Sequence, residues 1–363
     1  MRHLSVPSRE TEVWLTLCRQ RDWLAPTGVQ PLEDDQRGIP LQPSAPDQDD
    51  PVWEGRTIVE MIPKFQGPKH WIERLPTPLQ ELPESFWPAS FETQGDVLIV
   101  KIEEQVRPHE QAMGEAMLAH FPNMRLICAD GGVDGDFRVR DLRVVSSKDG
   151  STHTQTTVRE HGHDILVDPG AVYFSSRLST QRENTLDELR QFKADLGRPL
   201  VLADPYAGVG PSLPLLLAEP NLLQGWLVGD LNPEAFALLQ ENLNSWKGAR
   251  SEKPSVDAAV CLDARHWKNQ AELAGKADVL LVNLPHDSFT HLPELFPLLA
   301  QKDMSLLRGW AIVDRATLDQ RLEQMQSLVI EAGGTPSSSY VREIKGFSTT
   351  RCFVVFQCQI TWG

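Results

Sequence analysis

Three acids, two glycines and one asparagine, each expected at the carboxyl end of a buried strand, have the types and spacing to do chemistry. Val201-Leu-Ala-Asp204 carries short apolar residues into an acid. The turn Pro205-Tyr-Ala-Gly208-Val-Gly210-Pro211 follows, and then an apolar, helix-compatible run from Leu213 to Ala218. That order reads as a buried parallel strand, a tight turn and a helix start. Gly208 and Gly210 lack a Cβ, so positive φ costs little and a ligand can touch the backbone. Such a turn suits a nucleotide-type cofactor lying across the carboxyl ends of a doubly wound sheet. The dinucleotide fingerprint is not met, because Gly208-x-Gly210 runs on into Ser212 and Leu213, and no lysine-bearing phosphate loop is present. An acid before the turn opposes a pyrophosphate and favours a cofactor with a positive centre, which S-adenosylmethionine fits.

The other residues follow at matching places. Asp230, in Leu227-Val-Gly-Asp230-Leu-Asn-Pro233, lies roughly 20 or more residues beyond the glycine turn, where a carboxylate accepts from ribose hydroxyls. Asp263, in Cys261-Leu-Asp263-Ala264, is placed to accept from an adenine amino group, and Asp204 to meet the amino-acid or sulfonium end. The alternative for each acid is a cap on the following helix. Asn283-Leu284-Pro285 offers a rigid carbonyl and an amide suited to gripping a planar base. As a bare tripeptide it is also a common turn.

Positioning these residues takes alternating strands and helices. The predicted elements are a helix at 185–196 and strands at 200–203, 225–229, 258–262, 277–282 and 309–313. Helices are predicted at 233–245, 292–299 and 318–332, and a closing strand pair at 341–344 and 351–360. Alternation of this kind implies a parallel sheet with an antiparallel edge. Upstream, 96–102, 124–129 and the charged/apolar alternation of 137–145 read as strands, with a helix at 110–120 and more strands at 151–160 and 163–167, a small α+β unit. A helix is expected near 10–24. The Pro-, Asp- and Gln-rich stretch 25–56 reads as a loop or linker, and 75–89 as a second linker.

The chain has 363 residues, enough for two or three domains. Its formal net charge of −15 disfavours non-specific polyanion binding, so any nucleic-acid role needs a local basic patch. Five scattered cysteines give neither a disulfide framework nor a zinc pattern. With no apolar signal core or membrane-length segment, a cytoplasmic protein with no metal and no membrane partner is expected.

Four segments then resemble one family in order and spacing: Tyr173-Phe-Ser-Ser-Arg177-Leu-Ser-Thr-Gln181-Arg182, Asp204 to Pro211, Asp230-Leu-Asn-Pro233 and Asn283-Leu-Pro285. Together they are similar to the archaeal and eukaryotic tRNA (guanine-37 N1)-methyltransferases. The likeness extends upstream through Glu160-His161-Gly162 and 91–96, and downstream to Val341-Arg342-Glu343. It implies an α/β fold: a class I, Rossmann-like methyltransferase domain with a mixed, mostly parallel sheet at 173–363. A small α+β RNA-contacting domain at 79–172 and an N-terminal RNA-facing domain at 1–78 precede it. It also implies S-adenosylmethionine as cofactor, tRNA as partner and a monomer. By position, Tyr173, Arg177, Asp204, Gly208, Gly210, Asp230, Asp263 and Asn283 become cofactor contacts, and Asn283 and Pro285 base contacts. Arg138 or Arg140 becomes the arginine steadying charge on the guanine O6, a task suited to a permanently charged donor; the alternative for either is a solvated strand face.

The sequence departs from the family at two places. Gln181 stands where the methyltransferases carry a glutamate that removes the guanine N1 proton, and an amide cannot be that base. Glu183, His286 and Asp287 are the neighbouring alternatives. The second departure lies at Gly309-Trp-Ala-Ile-Val-Asp314-Arg315: the family usually has aromatic residues after the fifth strand, so the resemblance implies a different pocket wall here. Guanine N1 methylation is therefore weighed beside two alternatives: the aminocarboxypropyl transfer of the wybutosine sister branch, and a non-catalytic relative that keeps the cofactor fold.

Overall fold

The structure, a computed structural model, describes residues 1–64, 67–135, 137–248 and 253–363. It contains two compact units, Met1–Glu84 with Glu115–Phe121, and Ser85–Gly114 with Pro122–Gly363.

In the smaller unit, β1 (Arg2–Pro7), α1 (Thr11–Gln20), β2 (Gln30–Pro31), β3 (Gln36–Pro40) and β4 (Thr57–Glu60) build a sheet in the order β2-β3-β1-β4 with one helix. Leu4, Val6, Trp14, Cys18, Ile39, Leu41 and Trp53 form its core. The stretch read as a linker at 25–56 is thus ordered. β3 pairs antiparallel with β1 from His3↔Pro40 to Pro7↔Gln36, and Trp53 is wholly buried, its indole N–H donating to the Asp47 carbonyl at 2.9 Å. The few apolar residues scattered among the prolines are the ones that pack, a long-range effect that composition hides. The second expected linker holds a short helix, α2 (Thr77–Gln80), and a single 3-10 turn at Glu84–Phe86.

The larger unit opens with β5 (Phe91–Gln94), β6 (Val97–Val100), β7 (Leu126–Asp134) and β8 (Val139–Ser147), the strands lying in that order in one sheet; α3 (Glu110–His120) is divided between the two units at Glu115. A hairpin follows, β9 (Thr156–Glu160) and β10 (His163–Val167), turning through His161 and Gly162 at φ +48° and +83°. Those are the left-handed conformations that a two-residue hairpin turn requires. Ile165 and Val167 pack with Val209, Ala235 and Leu238.

Then come α4 (Ser179–Leu196), β11 (Leu200–Asp204), α5 (Leu213–Ala218), β12 (Leu223–Gly229), α6 (Pro233–Lys247), β13 (Val256–Val260), β14 (Val279–Asn283), α7 (Ser288–Leu295), β15 (Met304–Asp314), α8 (Leu318–Glu331), β16 (Gly334–Gly346) and β17 (Arg351–Trp362). The sheet order is β13-β12-β11-β14-β15-β17-β16. The first five strands are parallel, and β17 and β16 add as an antiparallel edge. Both faces are covered: Leu200, Leu202 and Val228 point into one apolar cluster, Ala203, Leu227 and Leu280 into another. That two-sided burial explains the near-continuous apolar strands. Strand order reverses between β11 and β14, the switch point where ligands bind in such sheets.

Two boundaries move in ways that matter. α4 begins at Ser179 instead of 185, which puts Gln181 and Arg182 in its first turn. α7 begins at Ser288 instead of 292, directly behind the Asn283-Leu284-Pro285 loop.

Asp278, buried just before β14, pins the switch point. It accepts from the Val201 amide at 2.8 Å and from both Arg198 Nη atoms at 2.8 Å. Asp278→Ala orphans a buried amide at the start of β11, so urea unfolding should show a loss of about 1–3 kcal/mol.

Candidate active site

At the switch point, β11 delivers Asp204 into the floor of a pocket that Gln181 of α4, Asn283 of β14 and Trp310 of β15 also line. Asp204 is 4% exposed. Among the described residues its carboxylate takes a single hydrogen bond, a long one of 3.4 Å from the Tyr206 amide. Burial, with the Asp230 charge adding to it, pushes its pKa up to about 7. A buried carboxylate so poorly served calls for a cation or donor from outside the chain.

The glycine turn divides its labour. Gly208, at φ +57°, donates its amide to Asp230 Oδ2 at 2.9 Å, and a Cβ there would meet nothing within 4 Å, leaving that side open. Gly210, at φ +82°, faces inward: a Cβ there would lie 2.7 Å from Leu239 and 3.0 Å from Leu213. Its glycine is thus demanded by helix packing on the side where a Cβ would point.

Asp230 bridges two backbone amides, Gly208 and Asn232, each at 2.9 Å. Burial raises its pKa, and those amides pull the other way. The helix α6 is capped by Asn232, which accepts from Glu234 N at 3.0 Å, so Asp230 is not the cap. Asp263 is one: it caps the turn 264–269 through Arg265 N at 3.0 Å. The Arg265 guanidinium grips both its oxygens and lowers its pKa to about 2. The three acids stand at the ends of neighbouring strands, but Asp263 is already neutralised by its own neighbour.

The first turn of α4 is anchored by groups whose pairing the sequence conceals. Arg182, 5% exposed, donates to both oxygens of Glu160 at 2.5 and 2.6 Å and to the Ser175 carbonyl at 3.0 Å. Beside it, His161 meets the Ser179 hydroxyl at 2.6 Å and Glu183 at 3.1 Å. Glu183 therefore points to the β9–β10 turn, away from the pocket that Gln181 lines. Glu160, His161 and Arg182 all lie in the quoted motifs, yet a pairing across 22 positions carries no local signal.

The two candidate arginines separate clearly. Arg140 is held by Glu92 at 2.8 Å and Asp130 at 3.5 Å. Arg138 is exposed, at φ +55°, and its Nη1 lies 2.7 Å from His286 Nε2, just beyond Asn283-Leu284-Pro285. The Pro285 carbonyl accepts from Ile312 N at 2.7 Å. Ser288 fixes the same loop, donating within 2.8 Å of the Leu284 and Trp310 carbonyls. Tyr173 and Arg177 are exposed and do not line the pocket. Its aromatic lining is Tyr206, from the turn after β11, and Trp310, from inside β15 in the segment where the sequence departs from the family. The buried Trp310 indole N–H has no partner among the described residues.

The donor set suits a ligand with a cationic centre near Asp204 and hydroxyl groups near Asp230. Among the described residues no group of histidines, cysteines and acids could hold a metal, and no helix is long and apolar enough to cross a membrane.

Residues 73–149 match the family described as the TYW2 N-terminal domain. The chain is 31% identical over 217 residues to the tRNA (guanine(37)-N(1))-methyltransferase Trm5b of Pyrococcus abyssi, covering 58% of each protein. The chain is similar to several proteins with that name, among them one of Entamoeba histolytica, 28% identical over 218 residues, covering 58% of this chain and 51% of that one. It spans about half the length of the curated relatives it matches. Among solved structures, a complex of aTrm5 with tRNALeu superposes with a TM-score of 0.68 at 17% identity, over 99% of this chain and 100% of that one. Pyrococcus horikoshii TYW2 with MeSAdo gives 0.60 at 18% identity, over 78% and 96%. The fold is α/β and Rossmann-like, with the mixed, mostly parallel sheet described above, as the likeness to these structures shows.

Asp204 supplies a test of the site's electrostatics without any ligand. Its folded pKa lies above the unfolded value of 3.8, so between about pH 4 and 7 the folded state keeps a proton that the unfolded state has lost. Stability must fall as pH rises through that window, by roughly 4 kcal/mol in all. Asp204→Asn should remove this slope in unfolding measured at pH 4 and pH 8.

Proposed function

We propose that the protein is an S-adenosylmethionine-dependent tRNA methyltransferase that modifies guanine N1 at position 37, beside the anticodon. The observation carrying the reading is one pocket at the switch point shared by Asp204, Gln181 and Asn283, in a chain related to enzymes named for that reaction. When bound, the cofactor supplies a methyl group on a positively charged sulfur. Asp204 offers the buried negative charge that such a centre seeks. Asp230, braced by the Gly208 and Asn232 amides, is oriented to accept hydroxyl groups. Asn283 and Pro285 hold the base, and a guanidinium aimed at O6 balances the charge that grows there as N1 loses its proton. Residues 1–78 and 79–172 face the RNA in this reading, a role supported by the likeness to aTrm5 in its complex with tRNALeu.

The proton on N1 needs an acceptor, and Gln181 is not one. Among the described residues lining the pocket, Asp204 is the sole carboxylate. Loss of the usual glutamate therefore leaves a slower enzyme that relies on Asp204 or solvent. The match of residues 73–149 to the TYW2 N-terminal domain favours a second reading, aminocarboxypropyl transfer, with the same cofactor attacked at another carbon.

Incubating the protein with labelled cofactor and unmodified tRNA, then analysing nucleosides by mass, separates these readings. N1-methylguanosine is expected; an aminocarboxypropyl product supports the second reading, and no product with any tRNA overturns both. Gln181→Glu should raise N1 methylation by about 10-fold or more if position 181 is the base position. An unchanged rate would show that it is not. Asp230→Ala should abolish cofactor binding in calorimetry, whereas tight binding by that variant would refute the cofactor assignment.

A further inference from the structure

The chain binds most of its described arginines near the site to carboxylates: Arg140 to Glu92, Arg182 to Glu160, Arg265 to Asp263 and Arg315 to Glu343. Arg138 is not among them, and neither is Arg351, which lies over Phe347 on the same side. Among the described residues the Arg138 side chain makes no ion pair, and its guanidinium meets His286 Nε2 at 2.7 Å. Arginine only donates, so Nε2 must be the accepting nitrogen of a neutral ring that carries its proton on Nδ1. The two residues come from different elements, the β7–β8 turn and the loop between β14 and α7. That loop is fixed by the Ser288 and Pro285 hydrogen bonds, so His286 is a rigid anchor and Arg138 the longer, exposed arm.

We propose that His286 is a positioning residue for the transfer reaction: its neutral imidazole holds the Arg138 guanidinium beside the Asn283-Leu284-Pro285 loop, and protonation of the ring releases it. This rests on the methyltransferase reading above. Holding a cation with a neutral group keeps its full charge available for an oxygen that is becoming negative, which a carboxylate partner such as that of Arg140 would cancel. It also takes His286 out of contention as the N1 base, because its lone pair is engaged by Arg138.

The surroundings favour the neutral ring. Burial and the Arg138 charge lower its pKa, Arg351 acts in the same direction, and Asp287 opposes them. From the β16–β17 turn, Phe347 sets its ring edge-on to the imidazole, 6.3 Å between centres at 79°, and Arg351 lies 5.2 Å over Phe347. Once protonated, the ring loses its acceptor and faces two arginines, so the contact opens as pH falls below the ordinary histidine range.

The test combines ring NMR with pH profiles of methyl transfer. His286 should titrate below the ordinary value of 6.5, and Arg138→Ala should move that titration upward. His286→Ala should lower kcat by about 10- to 100-fold with cofactor affinity unchanged. His286→Gln, which keeps an acceptor but cannot titrate, should restore most of that rate and lose the acid limb of the profile. The Ala variants at 138 and 286 combined should be no worse than the more damaging one alone. Additive losses, an acid limb persisting in His286→Gln, or an unmoved titration in Arg138→Ala would each overturn the proposal. A wild-type protein that yields no methylated nucleoside but shows the NMR coupling would count against the methyltransferase reading and leave the Arg138–His286 contact standing.

Discussion

A carboxylate buried with a single weak hydrogen bond is the constraint around which the larger unit is arranged. Asp204 ends the central strand of a parallel sheet at the point where strand order reverses, so helices on both faces deny it water. The turn that follows must leave the strand sharply, which the two positive-φ glycines allow. Gly208 hands its amide to Asp230 and so links the ends of β11 and β12. Nothing within the described chain neutralises Asp204, whereas Asp263, Glu160 and Glu92 all have arginines. An unbalanced buried acid in an otherwise balanced crevice is a site prepared for a ligand that brings positive charge.

Much of this was legible in the sequence because it depends on local chemistry. Apolar runs ending in Asp204, Asp230 and Asn283 marked parallel strands, and glycine and proline spacing marked the turn. The closing pair expected at 341–344 and 351–360 is present as the longer β16 and β17. What was not legible is long-range. Composition suggested an unstructured 25–56, yet Ile39, Leu41 and Trp53 enter a core whose other half comes from β1 and α1. The packing reason for glycine at 210 is likewise long-range, because a Cβ there would meet Leu239, 29 positions later. The start of α4 was missed because its opening turn lacks an apolar stripe and is held by Glu160 and His161.

The same distinction separates the candidate site residues. Asp204, Gln181 and Asn283 meet in one pocket, and Asp230 joins through Gly208. Arg138 and Arg140, equivalent on paper, differ in that one is held by an imidazole and the other by two carboxylates. In a chain of net charge −15, an arginine kept unpaired by acids is a scarce resource for meeting a polyanion.

The most direct measurement is the proton balance of cofactor binding. Calorimetric titration of S-adenosylmethionine into the protein near pH 6, repeated in buffers of different ionisation enthalpy, reports protons released per site. Asp204 is mostly protonated there, and a cation settling beside it must drive the proton off, so the account predicts release approaching one proton at pH 6 that vanishes in Asp204→Asn. Binding with no proton released, or with release unchanged in that variant, would contradict it.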